Sequence, residues 1–226
     1  MTPDNQLLRC YAETKSEEAF AELVRRHIDL VYSAVLRRLN GDTHLAQDAA
    51  QSVFTDLARK AAALSHRVSL SGWLYTSAHF AASEFVRAET RRRSREEKFM
   101  REPDSTTCFA AEPDWEKLLP VLDEVMLELK ESDREAILLR YFENRPLAEV
   151  GARLSLGENA ARMRIERALV KMRALLAKRG VAGTEALAAA ISANAVQVAP
   201  TGMAALLATN SVATAATFAA TGMSAG

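Results

Sequence analysis

One stretch of the chain decides the fold: LAEVGARLSLGENAARMRIERALVKMRALLAK, residues 147–178. Apolar residues recur at helical spacing at its start, and a three-residue break, Ser155-Leu156-Gly157, follows them. The basic segment from Glu158 to about Lys178 has the length and pattern of an amphipathic helix. A short helix, a tight turn with glycine and a longer arginine-rich helix together predict a helix-turn-helix unit that reads duplex DNA.

The outward face of the second helix carries the side chains that can reach DNA. Its apolar side is predicted to comprise Ala160, Ala161, Ile165, Ala168, Leu169 and Met172. The predicted base-contacting residues are Arg162, Met163, Glu166 and Arg167, because arginine can donate two hydrogen bonds to guanine and glutamate can accept one from cytosine. The predicted phosphate contacts, which position the helix, are Arg164, Lys171 and Arg173. The alternative is an ordinary solvated helix face with several arginines.

Two further helices are predicted just before this unit. Ser132-Asp-Arg-Glu135 matches a capping box, in which the serine and the glutamate three residues later satisfy free helix amides. The helix that it opens ends before Pro146, whose ring disfavours helix in the preceding residue. An apolar stripe predicts an earlier helix from about Trp115, through Leu118, Leu122, Val125, Met126 and Leu129. Residues 115–180 therefore form a four-helix or winged-helix-like domain in this interpretation.

Three periodic segments predict another helical domain, residues 1–98. The first follows Ser16 and stops at Asn40-Gly41, because glycine tolerates the left-handed conformation after a helix. Asp42 is predicted to cap the second helix, and the third opens near Gly72.

The third helix runs into an arginine-rich end. Arg87 and Arg91 share one of its faces, downstream of Trp73 and Phe80. Basic residues beside aromatic rings suit a single nucleic-acid strand, because backbone charge and base stacking are both satisfied. For Trp73 alone, a place in the core is the stronger alternative.

The rest of the chain differs in composition. Residues 99–114 lack periodicity and read as a linker. Residues 186–226 contain no charged side chain, and 16 of these 41 residues are alanine. No stretch reaches the apolar length of a membrane-spanning helix. The predicted fold class is all-α: two small helical domains joined by an acidic linker, with an uncharged Ala/Thr-rich extension, residues 181–226.

The charges are segregated although the net charge is zero, with 29 basic and 29 acidic residues. Residues 153–179 hold eight Lys/Arg against two Asp/Glu, residues 85–95 hold five against one, and residues 99–131 hold three against nine. Two basic patches separated by an acidic stretch indicate two contacts with a polyanion.

Other function classes have little support in the sequence. Cys10 and Cys108 are isolated, and the histidines show no metal-ligand spacing, so neither a metal nor a cofactor is expected. Nothing resembles a nucleophile–base pair or a phosphate loop, so an enzyme with a small-molecule substrate is not expected. The N-terminus has no apolar run of a signal peptide, and a reduced, cytoplasmic setting is expected.

These motifs together resemble the small extracytoplasmic-function (ECF) group of bacterial sigma-70 RNA polymerase sigma factors. The resemblance covers about residues 19–97 and 129–178. Its motifs in the first block are Asp42, Ala46-Gln47-Asp48, Gln51-Ser52-Val53-Phe54, Leu57, Gly72-Trp73-Leu74-Tyr75, Ala78 and the arginine run. Those in the second are Asp133-Arg134-Glu135, Leu138-Leu139-Arg140-Tyr141-Phe142, Leu147-Ala148-Glu149-Val150 and Ala160-Ala161-Arg162-Met163-Arg164.

The resemblance implies a transcription initiation factor that binds core RNA polymerase and promoter DNA. Implied contacts with the clamp helices of the largest polymerase subunit are Asp48, Gln51, Ser52 and Phe54. The loop of residues 67–71, called the −10 loop below, and the following helix would capture and help to open the −10 element. Implied −10 contacts are Arg67, Ser69, Trp73, Phe80, Arg87 and Arg91; implied −35 contacts are Arg162, Met163, Arg164, Glu166, Arg167 and Lys171.

Three features depart from the family pattern. Phe80 stands where many members carry Asn, which affects how a flipped base is captured, and Gly157 replaces the usual Ser or Thr cap of the recognition helix. The extension lies outside the minimal family, and we expect it to fold back onto one or both DNA-binding domains as a regulator. A separate anti-sigma factor is the alternative regulator. The main alternative for the whole chain is a stand-alone dimeric helix-turn-helix regulator.

Overall fold

The computed structural model describes residues 2–67, 69–96, 115–181 and 187–222, which are helical and contain no strand within these ranges. The helices are α1 (Asp4–Thr14), α2 (Glu17–Arg38), α3 (Thr43–Leu64), α4 (Ser71–Glu96), α5 (Trp115–Glu128), α6 (Glu131–Ile137), α7 (Leu147–Arg153), α8 (Glu158–Lys178), α9 (Leu187–Asn194) and α10 (Met203–Gly222). The chain continues from α6 through a π-helical turn, Leu138–Phe142. The predicted linker and Cys108 lie outside the described residues.

Helices α1–α4, called the N-terminal unit below, pack around one apolar core. Asp42 caps α3 as predicted, because its carboxylate accepts hydrogen bonds from the amides of His44 and Leu45, both at 3.0 Å. Asn40 and Gly41 end α2 with positive φ angles, as the predicted stop requires. Fully buried members of this core include Leu8, Phe20, Leu23, Phe54, Leu57, Leu74 and Tyr75.

Helices α5–α8, called the C-terminal unit below, bury the predicted stripe of α5 and the inner face of α8. With four helices and no strand among its described residues, this unit is of the four-helix type and has no wing. Helix α9 packs against the π-helical turn and α8.

The predicted capping box before α6 is wrong. The helix begins at Glu131, its N-cap residue is Lys130 with no side-chain cap, and Ser132 is an exposed residue inside it. The carboxylate of Glu135 instead accepts hydrogen bonds from Ser69 and from the amide of Gly72, both in the N-terminal unit. A long-range contact has therefore replaced the local one that the motif predicts.

The extension crosses from the C-terminal unit to the N-terminal unit. Gln197 and Ser33 exchange two hydrogen bonds: the Gln197 amide donates to Ser33 Oγ at 2.6 Å, and that hydroxyl donates to the Gln197 carbonyl at 3.0 Å. The amide of Ala199 donates to Asp29 at 2.8 Å. Helix α10 then lies on α2 and α3. Among the described residues, no helix has the length and apolar character needed to cross a bilayer.

Candidate nucleic-acid interface

The helix-turn-helix turn is tight, and a glycine makes it so. The amide of Leu156 donates to the carbonyl of Gly151 at 2.7 Å. A Cβ at Gly151 would lie 2.7 Å from the Leu156 carbonyl oxygen, closer than real Cβ atoms come. Gly157 then precedes α8 without a side-chain cap. Glycine at position 151 therefore lets α7 and the start of α8 approach each other.

The outer face of α8 presents four neighbouring side chains to solvent. They are Arg162, Met163, Glu166 and Arg167, and Met163 keeps 51% of its surface exposed. The Arg162 guanidinium lies 3.8 Å from Glu158, and Arg167 Nε donates to the Met163 carbonyl at 3.1 Å. The two arginine side chains are exposed and make these contacts within the helix, so they can be redirected toward a groove at small cost.

The inner face of α8 matches the predicted apolar side with one exception. Ala161, Ile165, Ala168, Leu169 and Met172 are buried, whereas Ala160 is exposed. Ala160, in the first turn of α8, is therefore a wrong member of the predicted set. Two predicted phosphate contacts differ in their surroundings: Lys171 pairs with Asp133, and Arg164 is half-buried.

Arg67 and Ser69 of the −10 loop and the first residues of α4 contact the C-terminal unit. Arg67 forms an ion pair with Glu131 at 2.6 Å. The hydroxyl of Ser69 donates to Glu135, and that of Ser71 donates to Glu143. The amide of Gly72 donates to Glu135 Oε2 at 2.9 Å. Sequence reasoning missed these glutamates, because the motif around Glu135 has a purely local explanation.

The remaining predicted −10 residues lie along α4. Phe80 is 58% exposed and meets His79 edge-to-face at 6.1 Å, and Arg87 and Arg91 are exposed. Burial is the largest cause that lowers the pKa of His79, with the charge of Arg38 next, so this ring adds little positive charge at neutral pH. Trp73 is half-buried against the core, with Lys60 Nζ 5.8 Å from its ring centroid.

The residues predicted to bind polymerase lie on α3 in three different environments. Asp48 and Ser52 are exposed, and Ser52 borders a groove that also contains Phe85, Arg87 and Arg91 of α4. Gln51 Nε2 donates to Ser211 of α10 at 2.8 Å. Phe54 is fully buried in the core, so the prediction of a surface contact is wrong for this residue, and its ring supports α3 from within.

No cluster of metal-ligating side chains is found among the described residues. The polar groups of the candidate interface are arginines, serines, glutamates and backbone amides. Such a set can hydrogen-bond to bases and phosphates.

Two family models match the chain in the same order as its two units. The model for Sigma-70 region 2 matches residues 23–92, and that for Sigma-70, region 4, matches residues 125–174. Together these ranges cover more than half of the 226 residues. The chain therefore belongs to the sigma-70 family of RNA polymerase sigma factors, in its ECF group.

The RNA polymerase sigma factor CarQ of Myxococcus xanthus is a relative of this chain. It is 29% identical over 162 residues, which span 71% of this chain and 91% of CarQ. The chain is a transcription initiation factor that binds core RNA polymerase and directs it to promoters with −10 and −35 elements. The reading as a stand-alone dimeric regulator is not favoured, because both regions of a sigma factor are present.

Proposed function

We propose that this sigma factor divides promoter recognition between two regions. Residues 1–98 bind core polymerase and the −10 element, and residues 115–180 bind the −35 element. Residues 99–114 act as the linker, and residues 181–226 regulate. The observation that carries the proposal is the row of exposed side chains on α8, beyond a tight helix-turn-helix turn. The proposed site of action is the cytoplasm, and the chain contributes no catalysis of its own.

Recognition of the −35 element is assigned to Arg162, Met163, Glu166 and Arg167, with Arg164 and Lys171 on phosphates. A bidentate arginine contact with guanine contributes about 1–3 kcal/mol of discrimination against a wrong base. In holoenzyme, Arg162→Ala and Arg167→Ala should each reduce the preference for the native −35 element over single-base variants by about 10- to 100-fold.

The exposed Lys178, in the last turn of α8, offers a matched control. Lys178→Ala should leave the preference between promoter variants unchanged, because this residue is not among those assigned to bases. Transcription from a promoter library measures both effects. Equal loss on every sequence for Arg162→Ala and Arg167→Ala would contradict their assignment to bases.

Capture of the melted −10 strand is assigned to Arg67, Ser69, Trp73, Phe80, Arg87 and Arg91. Base stacking on an aromatic side chain is worth about 1–3 kcal/mol per base, and Phe80 offers an exposed ring for it. Phe80→Ala should therefore reduce the yield of open complex, measured by permanganate reactivity of unpaired thymines. Phe80→Trp is the matched variant that keeps a stacking surface and should retain melting. Equal melting by Phe80→Ala and the parent chain would exclude stacking on this ring.

Core polymerase binding is assigned to the exposed α3 face with Asp48 and Ser52, to Gln51 beside it, and to Phe54 as internal support. Asp48→Lys reverses a charge without touching the core, so the free chain should fold normally and lose affinity for core polymerase. Native gel competition with the parent chain measures this loss. Unchanged competition would place the polymerase contact elsewhere.

Self-inhibition by the extension is proposed because α10 covers Gln51. Ser211 of α10, the partner of Gln51, is completely buried, whereas Thr214 on the same helix is exposed. Ser211→Arg should displace α10 and raise affinity for core polymerase, and Thr214→Arg should not. Equal affinities for the two variants would indicate a passive extension. A separate anti-sigma factor would be expected to compete for the same α3 surface.

A further inference from the structure

The segment between α9 and α10 is held on α2 through its main chain. Residues 195–199 are called the strap below. The amide of Ala199 donates to Asp29 Oδ1 at 2.8 Å. The Gln197 amide donates to Ser33 Oγ at 2.6 Å, and the Ser33 hydroxyl donates to the Gln197 carbonyl at 3.0 Å. Each of these bonds joins a main-chain group of the strap to a side chain of α2.

A third contact continues the same pattern, because Arg37 Nη1 donates to the carbonyl of Ala195. Three α2 side chains spaced four residues apart thus bind alternate residues of the strap. These side chains, called the α2 ladder below, are Asp29, Ser33 and Arg37. Four residues of an α-helix rise by about 6.0 Å, and two residues of an extended chain span about 6.6 Å. One face of α2 therefore has the repeat that an extended main chain requires.

The sequence of the strap favours an extended chain. Val196 and Val198 are β-branched, and Pro200 disfavours helix in Ala199 before it. The side chains at its centre add little to the contact, since Gln197 is exposed and Val198 keeps 83% of its surface exposed. Binding at the centre of the strap therefore depends on amides and carbonyls, which every extended peptide offers.

The strap also determines where α10 begins. Residues 200–202 alone separate it from Met203, the first residue of α10, and three residues span at most about 10 Å. Along α10, Ser211 accepts a hydrogen bond from Gln51 of α3 at 2.8 Å. A short tether of this kind raises the effective concentration of the segment that it holds. Loss of the strap contacts should therefore weaken the hold of α10 on α3.

Hydroxyl and carboxylate groups can bind the main chain of any extended peptide, whereas an apolar pocket would select particular side chains. We propose that the α2 ladder is a binding site for the main chain of an extended peptide. The strap occupies this site in the free chain, and an extended segment of a second protein occupies it when α10 is released. The release of α10 rests on the proposed self-inhibition by the extension; the peptide site itself does not.

Proline substitutions in the full chain test main-chain binding, because proline has no amide hydrogen to donate. Ala199→Pro and Gln197→Pro each remove an amide that the α2 ladder binds. Val198→Pro is the matched control, since the Val198 amide has no hydrogen-bond partner among the residues that the structure describes. Thermal melting followed by circular dichroism establishes that each variant is folded.

A change in α2 gives the reciprocal test. Asp29→Ala removes the acceptor of the Ala199 amide, so combining it with Ala199→Pro should release the strap no further than either change alone. Arg37 is kept in every variant, because its loss would also leave the buried Asp123 unpaired.

The first readout uses a fluorescein-labelled synthetic peptide with the sequence of residues 193–201. Its binding to the full chain is measured by fluorescence anisotropy. Ala199→Pro should bind the peptide about tenfold or more tightly than the parent chain, because its own strap has lost a hydrogen bond to a carboxylate and competes less. Val198→Pro should match the parent chain. Asp29→Ala should bind the peptide more weakly than Ala199→Pro does.

Variants of the peptide establish whether its main chain is bound. N-methylation of the residue that corresponds to Ala199 removes the amide hydrogen and should abolish binding, whereas N-methylation at the position of Val198 should not. Alanine at the positions of both Gln197 and Val198 should change the affinity by no more than about twofold, because these side chains are exposed in the strap.

The second readout is affinity for purified core polymerase. Ala199→Pro should bind polymerase more tightly than the parent chain and Val198→Pro, because α10 covers α3 in a smaller fraction of molecules. An excess of the unlabelled peptide should raise the affinity of the parent chain in the same direction.

The outcomes are distinct. Equal peptide binding by Ala199→Pro and the parent chain, or equal binding of the two N-methylated peptides, would overturn the site. A gain in polymerase affinity for Ser211→Arg without one for Ala199→Pro would overturn the role of the α2 ladder in holding α10. Peptide binding as expected, with no gain in polymerase affinity for either variant, would refute the proposed self-inhibition and support the peptide site.

Discussion

Neutralising Asp123 should destabilise the chain more than any surface charge change, because it leaves a buried guanidinium unpaired. Asp123 on α5 accepts hydrogen bonds from Arg37 on α2, with Nη2–Oδ1 at 3.0 Å, and from the hydroxyl of Tyr75 on α4. Arg37 also donates to the carbonyl of Ala195, just after α9. One carboxylate thus joins both units and, through Arg37, the extension.

The size of the effect follows from burial. Both side chains of the ion pair are only 5% exposed. Burial alone would lower the pKa of Arg37, but the charge and hydrogen bond of Asp123, together with those of Tyr75, outweigh burial and raise the pKa, so Arg37 stays charged. Breaking a buried pair by removing one partner costs about 3–5 kcal/mol. We expect Asp123→Asn to lose this much of a total stability of about 5–15 kcal/mol.

Urea unfolding followed by circular dichroism and by tryptophan fluorescence measures the loss. With a slope of about 1–3 kcal/mol per molar urea, the midpoint should fall by about 1–5 M. The exposed pair of Asp56 and Lys60 provides the control, since Asp56→Asn should change stability by less than about 1 kcal/mol. Replacing the whole cluster, with Arg37→Met, Asp123→Leu and Tyr75→Phe, should recover most of the loss, because no buried charge then remains.

Two results would refute this reasoning. A loss below about 1 kcal/mol for Asp123→Asn would mean that water reaches Arg37, as it does at surface pairs. A triple variant less stable than Asp123→Asn would mean that the polar cluster itself, rather than its unpaired charge, stabilises the contact.

Acid and turn geometry give two further predictions. Burial would raise the pKa of Asp4, but the hydrogen bond and charge of His27 and the nearby Arg153 lower this pKa below its ordinary value. The free energy of folding that Asp4 contributes is therefore present at neutral pH and is lost as the pH falls below about 5. Asp4→Asn should lower stability at pH 7 and flatten this acid loss, and an unchanged urea-midpoint profile from pH 7 to 3 would contradict it. Gly151→Ala should lower the free energy of unfolding by about 1–3 kcal/mol, because it overpacks the turn. Gly157→Ala should lower it by less than about 1 kcal/mol, because it weakens only an N-cap. Equal urea midpoints for the two variants would contradict the crowding at Gly151.

Local sequence rules predicted the elements whose stability is local. The Asp42 cap, the stop at Gly41 and the stripe of α8 depend on neighbours within a few residues, so periodicity and capping preferences suffice. Helix α1 was not predicted, because only Leu8 and Tyr11 are strongly apolar and buried in it, and two such residues do not make a periodic pattern.

The contacts between units could not be predicted in the same way. Glu135 fits a local capping motif in the sequence, but in the folded chain its carboxylate accepts from Ser69 in the −10 loop and from Gly72 at the start of α4, more than 60 residues earlier. Phe54 belongs to a motif associated with polymerase binding, yet its position on α3 faces the core. A sequence pattern states which residue types are present; which of them the tertiary packing covers depends on chain segments far away.

Acidic side chains that pair with groups of the two basic patches limit the attraction of this factor to DNA of any sequence. Acidic side chains of the C-terminal unit engage basic or polar groups of a DNA-reading surface, as Glu131 does with Arg67 and Asp133 does with Lys171. Phosphates must displace these carboxylates, so part of the electrostatic gain from DNA is offset before any base is read. DNA binding by the free chain is accordingly expected to be weak.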